Sequence, residues 1–457
     1  MSAHAAAAAA ASASDWSSLF PELLEDIARR VGEDDRNRDR AAFAAVCRPW
    51  RRASSATGAR LNRHSLHLVS LRPGASAVDF SSRHGEVVKT AYLGSDDAGT
   101  AGGARPHRVI GCSRGWLVVV DRACGASLLE PVVDGRRLPL PSVTSFDCGF
   151  ITPLAGMYGT AGFSVDNHAY RSHIRCPRKK VSPPETVTIQ AMRDEFFYKA
   201  ALAATGNQPE SFTVMVIHSG GSGLAFARPG DESWTSVRTS ASTRYADVIH
   251  HNGAFHTLTR GDGSIEAWEK VDGRRNLKPR LVTGPVVTWE FKRCVEFHSE
   301  TFRQQAYYEG ARYLAERDDG GGGGLLVVST VAIFDDGNAL RTRRFKVFGV
   351  DERQGEWRAL QDVGDEVALL VGINHARRVS TREYPCLKPN CVYYVLRSFA
   401  PEFDAMDEDG HDGEECLRYE SGVYDLRTGV PSRKSVFRRA GGGHPVWFVP
   451  PVAAPRR

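Results

Sequence analysis

The sequence has no apolar run approaching the length of about 20 residues that a membrane-spanning helix needs. It therefore points away from a membrane partner. The alanine-rich opening MSAHAAAAAAASAS contains no Lys or Arg, and alanine is only weakly apolar, so it does not read as a secretory signal. Residues 1–14 read as a disordered tail. Charge of one sign is also scarce: 59 basic against 54 acidic side chains leave +5, and the charges are dispersed. That balance is too mild to imply a nucleic-acid partner. The nine cysteines are odd in number and lack paired spacing, which fits free thiols in a reducing compartment. The expected location is intracellular, cytoplasmic and/or nuclear.

Motifs that carry catalysis or hold cofactors are missing too. No G-x-x-x-x-G-K-[S/T] phosphate loop occurs, and Gly220-Gly221-Ser222-Gly223-Leu224 fails the G-x-S-x-G nucleophile turn at its last position. The run Gly320–Gly324 lacks dinucleotide spacing and reads as a flexible loop. The stretch Asp407–Glu415 is dense in carboxylates, but its glycine falls too early for an EF-hand loop, so it reads as a solvated acidic insertion. Cys386 and Cys391 lie five apart with no second zinc-type pair. Arg178-Lys179-Lys180 is a short basic run, read as a solvated loop. His250, His251 and His256 surround a predicted hairpin turn; alternation sets His250 and His256 on one side if no bulge intervenes, in a packing or surface role. The expectation is a protein without catalytic residues, metal or cofactor.

What is present divides in two. In LFPELLEDIARRVGEDDRNRDRAAFAAVCRPWRRAS, Leu19, Leu23, Leu24, Ile27 and Val31 lay an apolar stripe along one helical face. Pro21 suits a first helical position, acidic residues lie early, Arg29 and Arg30 lie late, and Gly32 supplies a stop. Phe43, Val46, Cys47 and Trp50 repeat at helical spacing, with Pro49 starting a short third helix. A helical piece of about 40 residues is too small to secure its own core. It must pack either on the rest of the chain or on another protein.

From about residue 66 the pattern changes to short apolar runs separated by Gly, Asp, Asn and Pro turns. Strands are predicted at Trp116–Val120, Ser127–Leu129, Phe212–His218 and Leu224–Ala227. Turns are predicted at Asp134-Gly135, Asn252-Gly253 and Asp262-Gly263. Successive units end at Trp234, Trp268, Trp357 and Trp447, a loose recurrence of strand, turn, strand, turn and tryptophan-bearing strand. Repetition of this kind suggests propeller blades, with the tryptophans as wedge-core residues. A pair of β-sandwiches is the structural alternative.

The helical segment resembles an F-box, the motif by which ubiquitin-ligase receptors dock on a Skp-type adaptor. Trp16, Leu19, Pro21, Glu22, Leu23, Leu24, Ile27, Val46, Cys47, Trp50 and Arg51 match the family pattern. Phe20 stands where many members place proline, and Arg36–Arg40 is more charged than the usual linker. The β-rich part is similar to plant F-box proteins of the domain-of-unknown-function 295 (KIB-like) family. The similarity rests on RGWLV, SLLEPVVDGRRLPLP, RDEFFYKAALAA, SGLAFARPGDESW, DVIHHNGAFHTL, SGVYDLRTG and PVWFVPP, in that order. It implies an α+β multidomain chain: a short α-helical F-box over 15–60, then an all-β propeller over 66–451, with six blades guessed from length. It also implies a non-catalytic substrate receptor of a Skp–cullin–F-box ligase, capturing an unknown protein on the propeller. The adaptor contacts implied are Leu19, Pro21, Leu23, Leu24, Ile27, Val46, Cys47 and Trp50. The alternative is a stand-alone propeller that masks or inhibits a partner.

Overall fold

A computed structural model describes Leu23, Leu24, Ile27, Val46, Pro49 and Trp50, and then residues 67–71, 77–81, 87–92, 106–132, 135–156, 159–174, 183–204, 211–239, 243–270, 277–286, 307–316, 324–334, 340–373, 376–397, 417–439 and 444–448. Two compact units, Met1–Ser65 and Leu66–Arg457, divide the chain.

The larger unit is a mostly-β, propeller-like fold. Its first blade holds β1 (His67–Leu71), β2 (Ala77–Ser81) and β3 (Val87–Tyr92). The second holds β4 (Pro106–Ser113), β5 (Trp116–Asp121), β6 (Ala126–Leu129) and β7 (Arg137–Pro139). An excursion follows, with β8 (Ile151–Gly156), β9 (Gly159–Val165), helix α1 (Asn167–His173) and β10 (Glu185–Thr188). The Asp166 carboxylate caps α1, accepting from the His168 and Ala169 N–H groups at 3.0 and 2.9 Å. Helical turns Ile189–Ala191 and Met192–Phe196 lead into the third blade.

That blade holds β11 (Phe197–Ala204), β12 (Phe212–His218), β13 (Gly223–Ala227) and β14 (Thr235–Ser236). The fourth holds β15 (Tyr245–His251), β16 (Ala254–Thr259), β17 (Ile265–Lys270) and β18 (Leu277–Thr283). The fifth holds β19 (Tyr307–Glu316), β20 (Leu326–Phe334), β21 (Leu340–Asp351) and β22 (Glu356–Leu360). The sixth holds β23 (Val367–Gly372), β24 (Ala376–Ser380), β25 (Cys391–Arg397), β26 (Leu417–Asp425) and β27 (Pro431–Arg439). Finally β28 (Val446–Phe448) pairs antiparallel with β1, so the end of the chain completes the first blade.

The innermost strands close a circuit. β4 lies beside β11, β11 beside β15, β15 beside β19, β19 pairs with β24, β23 lies beside β28, and β28 and β1 return to β4. The core sits between sheets rather than at a single centre. One apolar cluster joins blades two and three through Val118, Leu128, Leu202 and Val214. Others join three to four (Met215, Tyr245, Trp268), four to five (Leu258, Leu314, Val327), five to six (Phe345, Leu369, Tyr394) and six to one (Leu68, Leu370, Trp447). A sheet with apolar residues on both faces cannot stand alone, which is why such blades occur only in series.

The tryptophans fill these wedges: Trp234, Trp268 and Trp447 are buried and Trp357 is half-buried. They do not recur at one blade position, however. Trp268 is on a third strand, Trp357 on a fourth, Trp447 on the closing strand, and Trp234 precedes β14. Each indole instead finds its own acceptor: Pro141 O at 2.9 Å, Thr257 Oγ1 at 2.8 Å, Val371 O at 3.0 Å and, for Trp357, Thr283 Oγ1 at 3.3 Å. Size and a single N–H to satisfy explain their placement better than repeat register does.

Candidate functional site

Two regions bear on function. In the smaller unit, Leu23, Leu24, Ile27, Pro49 and Trp50 have helical backbone. Leu24 is 1 % exposed, whereas its neighbour Leu23 is 47 % exposed and Val46 is 54 % exposed. Consecutive residues point about 100° apart around a helix, so one leucine turns inward while the next looks out. Ile27 and Trp50 are half-buried. Of the eight candidate contact residues, Leu24 is thus a packing residue, and Leu23 and Val46 face outward. Leu19, Pro21 and Cys47 lie outside the described residues, as do Arg178–Lys180 and Asp407–Glu415. Among the described residues only four large apolar side chains are exposed, and two of them are Leu23 and Val46.

In the propeller, side chains staple neighbouring inner strands. Lys199 on β11 sets its Nζ 2.8 Å from Asp247 Oδ1 on β15, with both side chains almost fully buried. The ammonium also stands 4.7 Å from the centroid of the Tyr313 ring on β19. Asp247 Oδ2 accepts the Leu314 N–H at 2.8 Å, and Oδ1 accepts the Val248 N–H at 2.7 Å. One carboxylate on the fourth blade is therefore gripped by the third and the fifth. Burial pushes the Asp247 carboxyl above its ordinary range, opposed by Lys199 and the two N–H groups. Arg108 on β4 donates to the Phe197 carbonyl of β11, its Nε has no partner, and burial lowers its guanidinium to about 10. Gly111 on β4 runs so close to β11 that a Cβ there would meet the Ala200 carbonyl oxygen.

These groups tie neighbouring blades to one another. Burial holds the Cys124 thiol at about 11 and raises Cys148 and Cys391 as well, which keeps the thiols protonated near neutral pH. His218 is enclosed by Phe146, Phe196 and Tyr170, and burial lowers it to about 3. The histidine hairpin differs from the alternation argument. The turn has only two residues, Asn252 (φ 47°) and Gly253 (φ 79°), and pairs His251 with Ala254, His250 with Phe255 and Ile249 with His256. Odd-numbered positions on β15 therefore share a face with even-numbered positions on β16. His251 and His256 come together with ring centroids 5.4 Å apart, and His250 lies on the other face. Among the described residues no group of His, Cys, Asp and Glu side chains is arranged to hold a metal. None of the described helices is long and apolar enough to cross a membrane.

Sequence reading missed the Lys199–Asp247 staple. The signal was there: a lysine inside FFYKAALAA and an aspartate inside YADVIHH are each a charge within an apolar strand, a pattern that calls for a buried partner.

The circuit of blades has a counterpart among known families, the KIB1-4 beta-propeller, which matches residues 87–425. The chain belongs to that family. Two curated relatives carry F-box names. An Arabidopsis thaliana protein named as an F-box protein is 24 % identical over 382 residues, covering 84 % of this chain and 85 % of its own. F-box protein SKIP23 of Arabidopsis thaliana is 22 % identical over 428 residues, covering 91 % and 90 %. Both alignments are longer than the KIB1-4 match. Solved structures with some similarity include YCF48 from Cyanidioschyzon merolae (10 % identity, 62 % of this chain and 66 % of that one, TM-score 0.27). Another is the Cps50 (Swd1) beta-propeller domain from Myceliophteria thermophila (9 % identity, 74 % and 88 %, TM-score 0.27). Overlaps that loose carry nothing about function.

Proposed function

We propose that this KIB1-4 propeller protein is the substrate receptor of a Skp–cullin–F-box ubiquitin ligase. Its N-terminal helices dock on a Skp-type adaptor, and the propeller presents a captured protein to the ubiquitin-charged enzyme. The chain itself performs no bond chemistry: its contribution is proximity, raising the effective concentration of substrate lysine near an activated thioester. The observation that carries the reading is the pair of outward apolar side chains, Leu23 and Val46, in the smaller unit. The F-box names of the relatives over most of the chain support it. Leu19, Pro21, Ile27, Cys47 and Trp50 complete the proposed contact set, and Leu24 holds it from within.

The test is capture of the full chain on an immobilised plant Skp-type adaptor. Covering the exposed halves of Leu23 and Val46 is worth about 1 kcal/mol each. A charge placed there adds a desolvation penalty, so Leu23→Asp with Val46→Asp should weaken capture by more than about 100-fold. Changing Leu24 would confound the result, because its burial makes Leu24→Asp a folding defect. Equal capture of wild type and the double variant would overturn the docking assignment.

A further inference from the structure

We propose that the outer seam between the third and fourth blades holds a basic side chain of the captured protein. The proposal rests on the receptor reading above and adds the chemistry of the ligand. Blade four ends on β18, seven residues long, whereas blade three ends on β14, which has two. The longer strand outruns its neighbour, and Lys278, Pro279, Arg280 and Leu281 are exposed in succession. Alternation sorts what β17 and β18 offer to each side. Ile265 and Ala267 lie in the apolar cluster shared with blade five, so Glu266 and Trp268 face blade three, and Trp268 belongs to the cluster shared with it. The register sets Leu281 opposite Glu266 and Pro279 opposite Trp268, which gives all four one face. Leu281 on that face is 61 % exposed. Arg280 and Lys278 stand opposite Ala267 and Glu269 on the other face, where Arg280 Nε meets Glu269 Oε1 at 2.6 Å. The cations of β18 thus turn away from Glu266.

Across the seam, half-buried Phe226 of β13 packs against the same cluster, and Thr235 of β14 stands opposite it in register. Glu266 is half-buried, and its Oε2 accepts the Tyr245 hydroxyl at 3.3 Å. Burial pushes the Glu266 carboxyl above its ordinary range; the Tyr245 hydroxyl opposes that push and the Asp262 carboxylate adds to it. Neither of these two neighbours is a cation. The seam therefore joins a negative charge to apolar walls from Leu281, Pro279 and Phe226. Basic side chains suit both parts, because a lysine lays its methylene stem along apolar surface while its head reaches a charge. An aliphatic side chain would strip water from the carboxylate and return nothing, and an acidic one would be repelled.

The experiment is fluorescence anisotropy of the full chain with a labelled peptide of about nine residues, Gly-Ser repeats around a central Val-Lys-Val. Its counterparts carry norleucine or glutamate in place of lysine. The lysine peptide should bind, the norleucine peptide at least about ten-fold more weakly, and the glutamate peptide more weakly still. Glu266→Gln keeps an acceptor for the Tyr245 hydroxyl and removes the charge. It should weaken the lysine peptide about ten-fold and the norleucine peptide less than about two-fold. Leu281→Ser should weaken both about three-fold. Glu269→Gln, on the opposite face, should change either less than about two-fold. If Glu266→Gln melts early, the wild type's preference for lysine over norleucine and the exposed Leu281→Ser variant decide the matter. Absent binding of the lysine peptide, equal binding of the norleucine peptide, or indifference to Glu266→Gln in a folded variant overturns the proposal. Self-association of the wild type that Leu281→Ser abolishes, read by sedimentation, also overturns it, because the seam would then belong to a second copy. Adaptor capture is read on the same samples: its persistence without peptide binding sinks this proposal alone, and its loss in wild type sinks the receptor reading alone.

Discussion

Replacing Lys199 with methionine removes the positive half of a pair that joins three blades and leaves the Asp247 carboxylate in place. That carboxylate is fully buried, 2.8 Å from the lost ammonium, and retains only the N–H groups of Leu314 and Val248. Breaking a buried pair on one side costs about 3–5 kcal/mol, because the surviving charge stays desolvated. The burden depends on pH in a direction that can be stated in advance. Burial already raises the folded-state pKa of Asp247 above its ordinary value, and losing Lys199 raises it further. A carboxyl whose folded pKa lies above its unfolded one binds extra protons in the native state. Its destabilisation is fully present above the folded pKa and is relieved as pH falls toward the unfolded value near 3.8. The stability gap between wild type and Lys199→Met should therefore be about 3–5 kcal/mol at pH 7.5 and shrink measurably by about pH 5. Using the gap cancels the histidines, which act on both proteins alike. Adding Asp247→Leu does not restore wild-type stability, since it orphans the Leu314 and Val248 N–H groups at about 1–3 kcal/mol each. The assay is urea unfolding followed by tryptophan fluorescence across that pH range. A gap below about 1 kcal/mol, or one that is flat with pH, would refute the view that this pair is a desolvated inter-blade staple.

Gly111→Ala drives a methyl group into the Ala200 carbonyl, so the variant should lose about 3 kcal/mol or more, or fail to fold, as read by the same unfolding curves. His218 has a folded pKa of about 3 against an ordinary 6.5, so the unfolded chain binds the extra proton and stability falls as pH drops through that window. At pH 5 this amounts to about 2 kcal/mol, and His218→Phe should flatten the acid side of the stability profile by that amount, with an unchanged slope as the contrary result. Leu23→Asp with Val46→Asp should leave the melting of the propeller unchanged while removing adaptor capture, which scanning fluorimetry beside pull-down checks directly.

How much of this was legible in the sequence follows from the range of the interactions. β12 was readable end to end, because Phe212–His218 is an apolar run closed by a glycine-rich turn. Asn252-Gly253 marked its hairpin because only residues tolerant of positive φ fit a two-residue turn. The first blade was not readable. Val446, Trp447 and Phe448 pair with Val69, Leu68 and His67 across nearly the whole chain, and no local pattern records such a partnership. The parallel contact of β19 with β24 escaped for the same reason. The excursion of β8 to β10 was invisible because Ile151–Gly156 is largely exposed and its alternation is weak. At the docking unit, helical spacing predicted an apolar set but could not sort it. Leu23 and Leu24 are chemically identical neighbours, and only their burial separates surface from core.

Isothermal titration of the full chain with a purified Skp-type adaptor, repeated at several temperatures, tests the central claim most directly. Docking through Leu23 and Val46 predicts one-to-one binding with a negative heat-capacity change from apolar burial, absent in Leu23→Asp with Val46→Asp. No heat of binding from the wild type, or the same affinity from both proteins, would contradict it.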